Sequence, residues 1–108
     1  SDPMQLLQGT LDVLVLKTLT WGPNHGYGVA RWIRETTDDA LAIEDGALYT
    51  SLHRMERRGW IESDWGLTDG GRRVKQYAIT AAGKRALNAQ ASQWQRYVVA
   101  VAKVLQPA

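Results

Sequence analysis

The apolar positions of this chain fall into four stripes of helical period and two short extended runs. Residues 5–20, QLLQGTLDVLVLKTLT, are dense in Leu and Val. Leu7, Leu11, Leu14 and Val15 fall near helical spacing, and Leu16 and Leu19 widen the stripe. A buried strand also tolerates β-branched residues, but the length of the run and its Leu content predict a helix. Thr20-Trp21-Gly22-Pro23-Asn24 then stops it, with Gly and Pro where a helix must end. A second helix is predicted from Tyr27 to Thr37, with Val29, Trp32 and Ile33 inward and Arg31, Arg34 and Glu35 outward. Thr36 to Asp39 closes it. Leu41-Ala42-Ile43 is a short apolar link that suits a brief strand.

The third helix is predicted from Asp45 to Arg58. Leu48, Leu52 and Met55 form its buried stripe, with Tyr49 at one edge. Asp45, or alternatively Glu44, is the capping carboxylate, because such a group accepts free amide hydrogens and suits the positive helix end. Gly59 ends the helix, since glycine tolerates the left-handed cap conformation. Trp60 to Trp65 and Val74 to Ile79 read as strands. The intervening GLTDGGRR is too long for a two-residue hairpin and is expected to protrude as a flexible loop.

Thr80 caps a last helix that runs to about Leu105. Its apolar positions Leu87, Ala91, Trp94, Val98, Val101 and Leu105 are spaced 4, 3, 4, 3, 4, an a/d seam that calls for a partner helix. The pattern as a whole predicts a mostly α chain with a small β-hairpin (α+β). Residues 5–80 form a winged helix-turn-helix and residues 81–106 a long C-terminal dimerisation helix.

Composition narrows the function classes. A chain of 108 residues suits one domain. Cysteine is absent, so disulfides and thiolate metal sites are excluded. No run approaches the roughly 18–20 apolar residues that span a membrane, and no signal peptide is visible, so a cytoplasmic protein is expected. The net charge of +2 is small but unevenly placed. Residues 1–71 carry 6 Lys/Arg and 11 Asp/Glu, whereas residues 72–108 carry 7 Lys/Arg and no acid. Such asymmetry suggests a polyanionic partner.

Two segments carry candidate chemistry. On the third helix, Ala47, Thr50, Ser51, Arg54 and Arg58 share one stripe away from the predicted core. Small residues at its start let a helix approach the floor of the major groove. Thr and Ser bond base edges or phosphates, and Arg54 reaches a guanine or a phosphate. Glu44 and Asp45 oppose this by placing negative charge near the same end. In the loop, Gly70 and Gly71 let the tip bend, and Arg72 and Arg73 can track a phosphate backbone or enter a minor groove, with Lys75 following on the strand. A polar face and a charged hairpin tip are each common on their own. Their conjunction, polar helix, glycine exit, hairpin and basic tip, points to nucleic acid.

The other candidates read as structural. His25 and His53 are the only histidines. No spacing supplies them with further metal ligands, so no metal or other cofactor is expected. No Ser or Thr has a His and an acid placed to serve it, so no enzyme is expected. Gly26-Tyr27-Gly28 lacks the remaining glycines of a phosphate loop. Trp60 and Trp65 are assigned to clamping the hairpin. Trp94 lies on the predicted seam, either as a packing anchor or as an aromatic shelf for a planar compound.

With these residues in hand, the chain resembles the PadR family of bacterial transcriptional regulators. The resemblance runs from Leu6 to Leu105 and rests on LLQGTLDVLVLKTL, GPNHGYGV, ALYTSLHRMERRGWIES, GGRRVKQYAIT and TAAGKRAL. The single terminal helix is similar to the compact branch of the family. The resemblance implies a homodimer joined through that helix, binding a palindromic operator in double-stranded DNA, usually as a repressor. It implies a small-molecule effector as well, with Trp94 matching aromatic interface residues that stack on planar ligands in multidrug-sensing relatives. Tyr49, Thr50, Arg54 and the Gly70–Arg73 wing match the family's DNA-facing segments. One departure is Glu44-Asp45-Gly46, where the family commonly has Ser-Pro-Gly. The rival reading is a winged-helix dimer that binds protein without DNA, and the basic wing argues against it.

Overall fold

In the computed structural model, which describes residues 9–107, four helices surround a small sheet. Helix α1 spans Thr10–Leu19, strand β1 Asn24–His25, α2 Gly26–Thr36 and α3 Asp45–Arg57. Strands β2 (Ile61–Leu67) and β3 (Arg73–Ile79) follow, and α4 spans Ala81–Leu105. The sheet is antiparallel in the order β1-β3-β2. This is a winged helix-turn-helix with one long C-terminal helix, as the sequence pattern predicts.

Several boundaries differ from that pattern, each for a local reason. The first helix starts at Thr10, because Gly9 stands before it at φ 85, a left-handed conformation outside a helix. Residues 5–8 of the expected helix lie outside the described residues. The β-pairing segment is Asn24–His25, whose register is Asn24 with Tyr77 and His25 with Gln76. Leu41 forms only an isolated bridge. Glu44, not Asp45, occupies the cap position of α3, and its side chain makes no capping bond. Trp32 is exposed and tilts against Trp21, with ring centroids 6.5 Å apart, rather than entering the core.

The hairpin is longer and tighter than expected. β2 and β3 pair from Ile61 with Ile79 out to Leu67 with Arg73, so Gly66, Leu67 and Arg73 are strand residues. The remaining loop is closed by its own bonds. The Thr68 amide donates to the Arg72 carbonyl, the Gly71 amide donates to the Thr68 carbonyl, each at 2.9 Å, and the Arg72 amide donates to Thr68 Oγ1 at 3.1 Å.

One core joins all the layers. Val15, Leu16 and Leu19 of α1 meet Val29 and Ile33 of α2, Leu48, Leu52 and Met55 of α3, Ile61, Tyr77 and Leu87. Burying each large apolar side chain contributes roughly 1.5–3 kcal/mol, so this cluster dominates stability. Leu87 is consumed here, and Ala91 packs on the edge of the same cluster. The first turns of α4 therefore cover their own chain, and Leu87, expected on the dimer seam, is not available to a partner. Beyond Trp94 the apolar side chains emerge. Val98, Val101 and Leu105 are exposed, Leu105 at 76%, and Tyr97 and Val104 are exposed beside them.

Candidate nucleic-acid interface

Helix α3 turns a different line of residues to solvent than the sequence stripe suggests. Its core line, Leu48, Leu52 and Met55, is widened by Ser51, which is 1% exposed. That rotates the free face toward Gly46, Thr50, His53 and Arg57, all exposed and spaced 4, 3, 4. Ala47 and Tyr49 flank this line, also exposed. Ser51 is thus removed from the candidate interface. Its hydroxyl donates to Asp12 Oδ1 of α1 at 2.5 Å. An Arg54 Nη2 hydrogen is donated to the same oxygen at 2.5 Å. Arg58 is exposed at the far end of the helix, where its guanidinium lies 5.0 Å from the centre of the Trp60 ring.

Asp12 is the residue that sequence reading missed. It is only 9% exposed. A carboxylate at such a position needs bonded partners, and α3 supplies two donors, both to Oδ1. The signal that would have found it was its place in an otherwise apolar α1 stripe.

The wing lies beside the start of α3. Between them runs a groove of about 590 Å³, lined by His25, Gly26, Tyr27, Asp45, Leu48, Tyr49, Trp65, Thr68, Arg72, Arg73, Val74, Lys75 and Tyr77. The structure therefore brings Tyr49, Arg72, Arg73 and Lys75 together, while Ala47, Thr50, Arg58, Gly70 and Gly71 lie outside the groove lining. Trp65 does not clamp the hairpin from inside. It is 59% exposed, and the Arg73 guanidinium lies 4.3 Å from its ring centre. Such a pair holds an arginine flat at a cost in freedom already met before any ligand arrives. Lys75 Nζ is 4.0 Å from Glu56 Oε1, so its charge is partly offset. Among the described residues Arg57, Arg58, Arg72 and Arg73 have no carboxylate partner.

Two glycines of Gly26-Tyr27-Gly28 are explained by packing rather than by phosphate binding. A Cβ on Gly26 would lie 3.1 Å from Tyr49 Oη, and one on Gly28 would lie 2.2 Å from Asn24 Oδ1. Their absence lets α2 begin directly against Tyr49 and the turn. His25 caps that helix, its Nδ1 accepting from the Gly28 amide at 3.0 Å. Tyr77, at the groove floor, has its phenol pushed above the usual range by burial, by Glu56 and by Tyr49. It therefore stays neutral and adds no negative charge to the groove.

Chemically, the face offers a helix edge of Thr, His and Arg, and a cationic, aromatic-lined cleft beside it. No helix of the described residues is long and apolar enough to cross a membrane. Residues 15–89 match the profile of the transcriptional regulator PadR-like family. An uncharacterized protein of Lysinibacillus sphaericus is 31% identical over 90 residues, covering 82% of each chain. A transcriptional regulator from Clostridium thermocellum superposes with a TM-score of 0.81 at 28% identity, over 89% of this chain and 90% of that one. A PadR family regulator from Eggerthella lenta gives 0.76 at 31% identity, over 94% and 86%. One from a hypervirulent Clostridium difficile gives 0.74 at 29%, over 92% and 100%.

Proposed function

The chain belongs to the PadR-like family of transcriptional regulators, and from that premise we propose that it is a homodimeric repressor that occupies a palindromic operator and is released by a planar aromatic effector. It is a regulator and not an enzyme. The observation that carries the reading is the shared placement of two features. The start of α3, through Asp45 and Tyr49, faces the wing residues Arg72, Arg73 and Lys75 across one groove, and the exposed line of Gly46, Thr50, His53 and Arg57 runs along the same helix. A helix edge of this kind reads bases in a major groove, and cations beside it hold the backbone. Ala47, Tyr49 and Thr50 stay in the proposed DNA-facing set, with Gly70, Gly71 and Lys75 supporting the wing.

The second half of α4 supports dimerisation. Val98, Val101 and Leu105 form an exposed apolar line that continues from the half-buried Trp94. Residues 5–80 then act as the DNA-binding unit and 81–106 as the joining helix. A dimer with twofold symmetry places its recognition helices in successive major grooves, so half-sites lie about 10 base pairs apart or a multiple of that. A regulator of this kind works where bacterial chromosomal DNA lies, in the cytoplasm. Trp94 stacks on Tyr97 of its own helix, with ring centroids 5.9 Å apart, which supplies an aromatic surface for an effector at the seam.

A gel-shift at physiological salt, with genomic fragments flanking its own gene, tests the reading. A discrete complex that survives excess unrelated duplex is the expected result. Binding to no fragment, with a folded dimer in hand, overturns it in favour of a protein-interaction role.

A further inference from the structure

Arg54 is the arginine that the sequence predicts to reach a guanine or a phosphate, yet in the structure it is tied down. Asp12 reaches it from α1, across 42 positions of chain, and accepts from both Arg54 and Ser51 on one oxygen. The Arg54 side chain keeps 38% exposure, so it is only partly covered. It sits on the flank of the exposed α3 line, one turn on from Thr50. This is a cation within reach of the proposed DNA face whose charge is offset by a carboxylate that is itself largely buried.

We propose that Asp12 is a positioning residue that withholds Arg54 from DNA: it neutralises the guanidinium and holds it against α1, so that base selection is left to Thr50, His53 and Arg57. The inference rests on the DNA-binding reading above. Its physical content is that an arginine free at this flank would bond phosphates of any sequence. Non-specific affinity is set by the number of cations that displace counterions from the backbone. A tied Arg54 contributes none, and the gap between operator and random duplex widens accordingly. Ser51 serves the same end, since its hydroxyl fixes the carboxylate that does the holding.

The test is Asp12→Asn, which keeps the shape and an acceptor for Ser51 while removing the charge. Binding to a mixed-sequence duplex is measured across a salt series, for wild type, Asp12→Asn, Arg54→Gln and the double variant, with thermal melting of all four. Asp12→Asn is expected to melt lower yet bind random duplex tighter. Its log K against log[salt] slope should steepen by about 0.9 per subunit, the increment for one added phosphate contact. The double variant should return to the wild-type slope, and Arg54→Gln alone should leave it unchanged. A purely structural role for Asp12 predicts weaker binding together with the lower melting point, and that result overturns the proposal. So does a wild-type slope that flattens with Arg54→Gln, because Arg54 would then already be on DNA. If wild type binds no duplex, the DNA-binding reading fails and this proposal fails with it, and the melting points then report only whether Asp12 and Arg54 act as a pair.

Discussion

Gly83 lies directly under the Trp60 carbonyl, so closely that a Cβ at this position would stand 2.0 Å from that oxygen and 2.8 Å from Ile79 Cγ1. The contact fixes where α4 leaves the sheet. Thr80 completes it, its hydroxyl within bonding distance of the Gly59 and Trp60 carbonyls and accepting from the Gly83 amide at 3.1 Å. Alanine inside a helix normally gains about 1 kcal/mol over glycine. Here the neighbour is backbone and cannot swing aside. Gly83→Ala should instead destabilise by about 1–3 kcal/mol, the usual cost of overpacking. Urea unfolding measures it, and a variant as stable as wild type would contradict the contact.

The positions legible from sequence are those where one physical term dominates. The apolar spacing of Leu48, Leu52 and Met55 has no competing explanation, and Thr80 is a cap in a position where little else fits. What stayed illegible needed the third dimension. Ser51 reads as polar and therefore exposed, and only the arrival of Asp12 from α1 makes its burial favourable. Once Ser51 faces inward, the whole α3 face turns, and His53 and Arg57 replace Ser51 and Arg54 on the exposed line. Asn24–His25 has no strand pattern at two residues, and its pairing comes from the open edge of β3. Trp32 has helical spacing with Val29 and Ile33, yet it stays exposed and lies on Trp21.

The rotated face makes a prediction that separates two sets of residues. His53→Ala and Arg57→Ala should each weaken operator binding while melting like wild type, since both side chains are exposed. An arginine bidentate to guanine is worth about 1–3 kcal/mol, so Arg57→Ala should cost about 5- to 150-fold in Kd. Ser51→Ala should behave oppositely, lowering stability by about 1.5–3 kcal/mol through loss of a bond to a buried carboxylate. Titration of a labelled operator and thermal melts on the same samples read both. Equal operator affinity for Arg57→Ala and wild type would return the interface to the Arg54 side.

The wing should act through charge, with Trp65 setting its geometry. Replacing Arg72 and Arg73 together by Ala should weaken binding to every sequence and flatten the salt slope by up to about 2 units per subunit. Trp65→Leu keeps both charges but removes the ring on which Arg73 rests. Its slope should stay near wild type while affinity falls, because an unheld arginine gives up more freedom on binding. A Trp65→Leu slope as flat as that of the double arginine variant would show that the ring's role is not positional.

The uncovered end of α4 predicts the oligomeric state. Val98→Glu with Val101→Glu places two carboxylates on a line that is exposed in the monomer. The fold should survive, because neither residue belongs to the core, and analytical ultracentrifugation should give monomers. A folded dimer in the double variant would move the interface to another surface. Leu87→Ala serves as the contrast, since Leu87 is a core residue. It should cost roughly 2–5 kcal/mol of stability through the cavity it leaves.

Trp94 gives the last prediction, on release of the regulator. In each subunit its ring lies against Tyr97 with an interplanar angle of 27°, at the point where α4 leaves its own core. Apposed across a twofold axis, two such pairs would bound a flat apolar slot. A planar aromatic compound entering it would gain stacking of about 0.5–1.5 kcal/mol per ring contact beyond area burial. To release DNA it must bind the arrangement with misplaced winged domains more tightly than the DNA-competent one. A differential of about 1–3 kcal/mol is enough for a 5- to 150-fold loss of operator affinity. Adding a planar dye should quench Trp fluorescence and lower operator affinity by the same reciprocal factor that operator lowers dye affinity. Trp94→Ala should abolish both effects, with the dimer checked by ultracentrifugation. Tyr97→Ala should weaken them, since it removes one face of the stack. Quenching that survives Trp94→Ala would place the compound elsewhere, and quenching without loss of operator affinity would mean that the slot binds ligand but does not control the DNA-binding units.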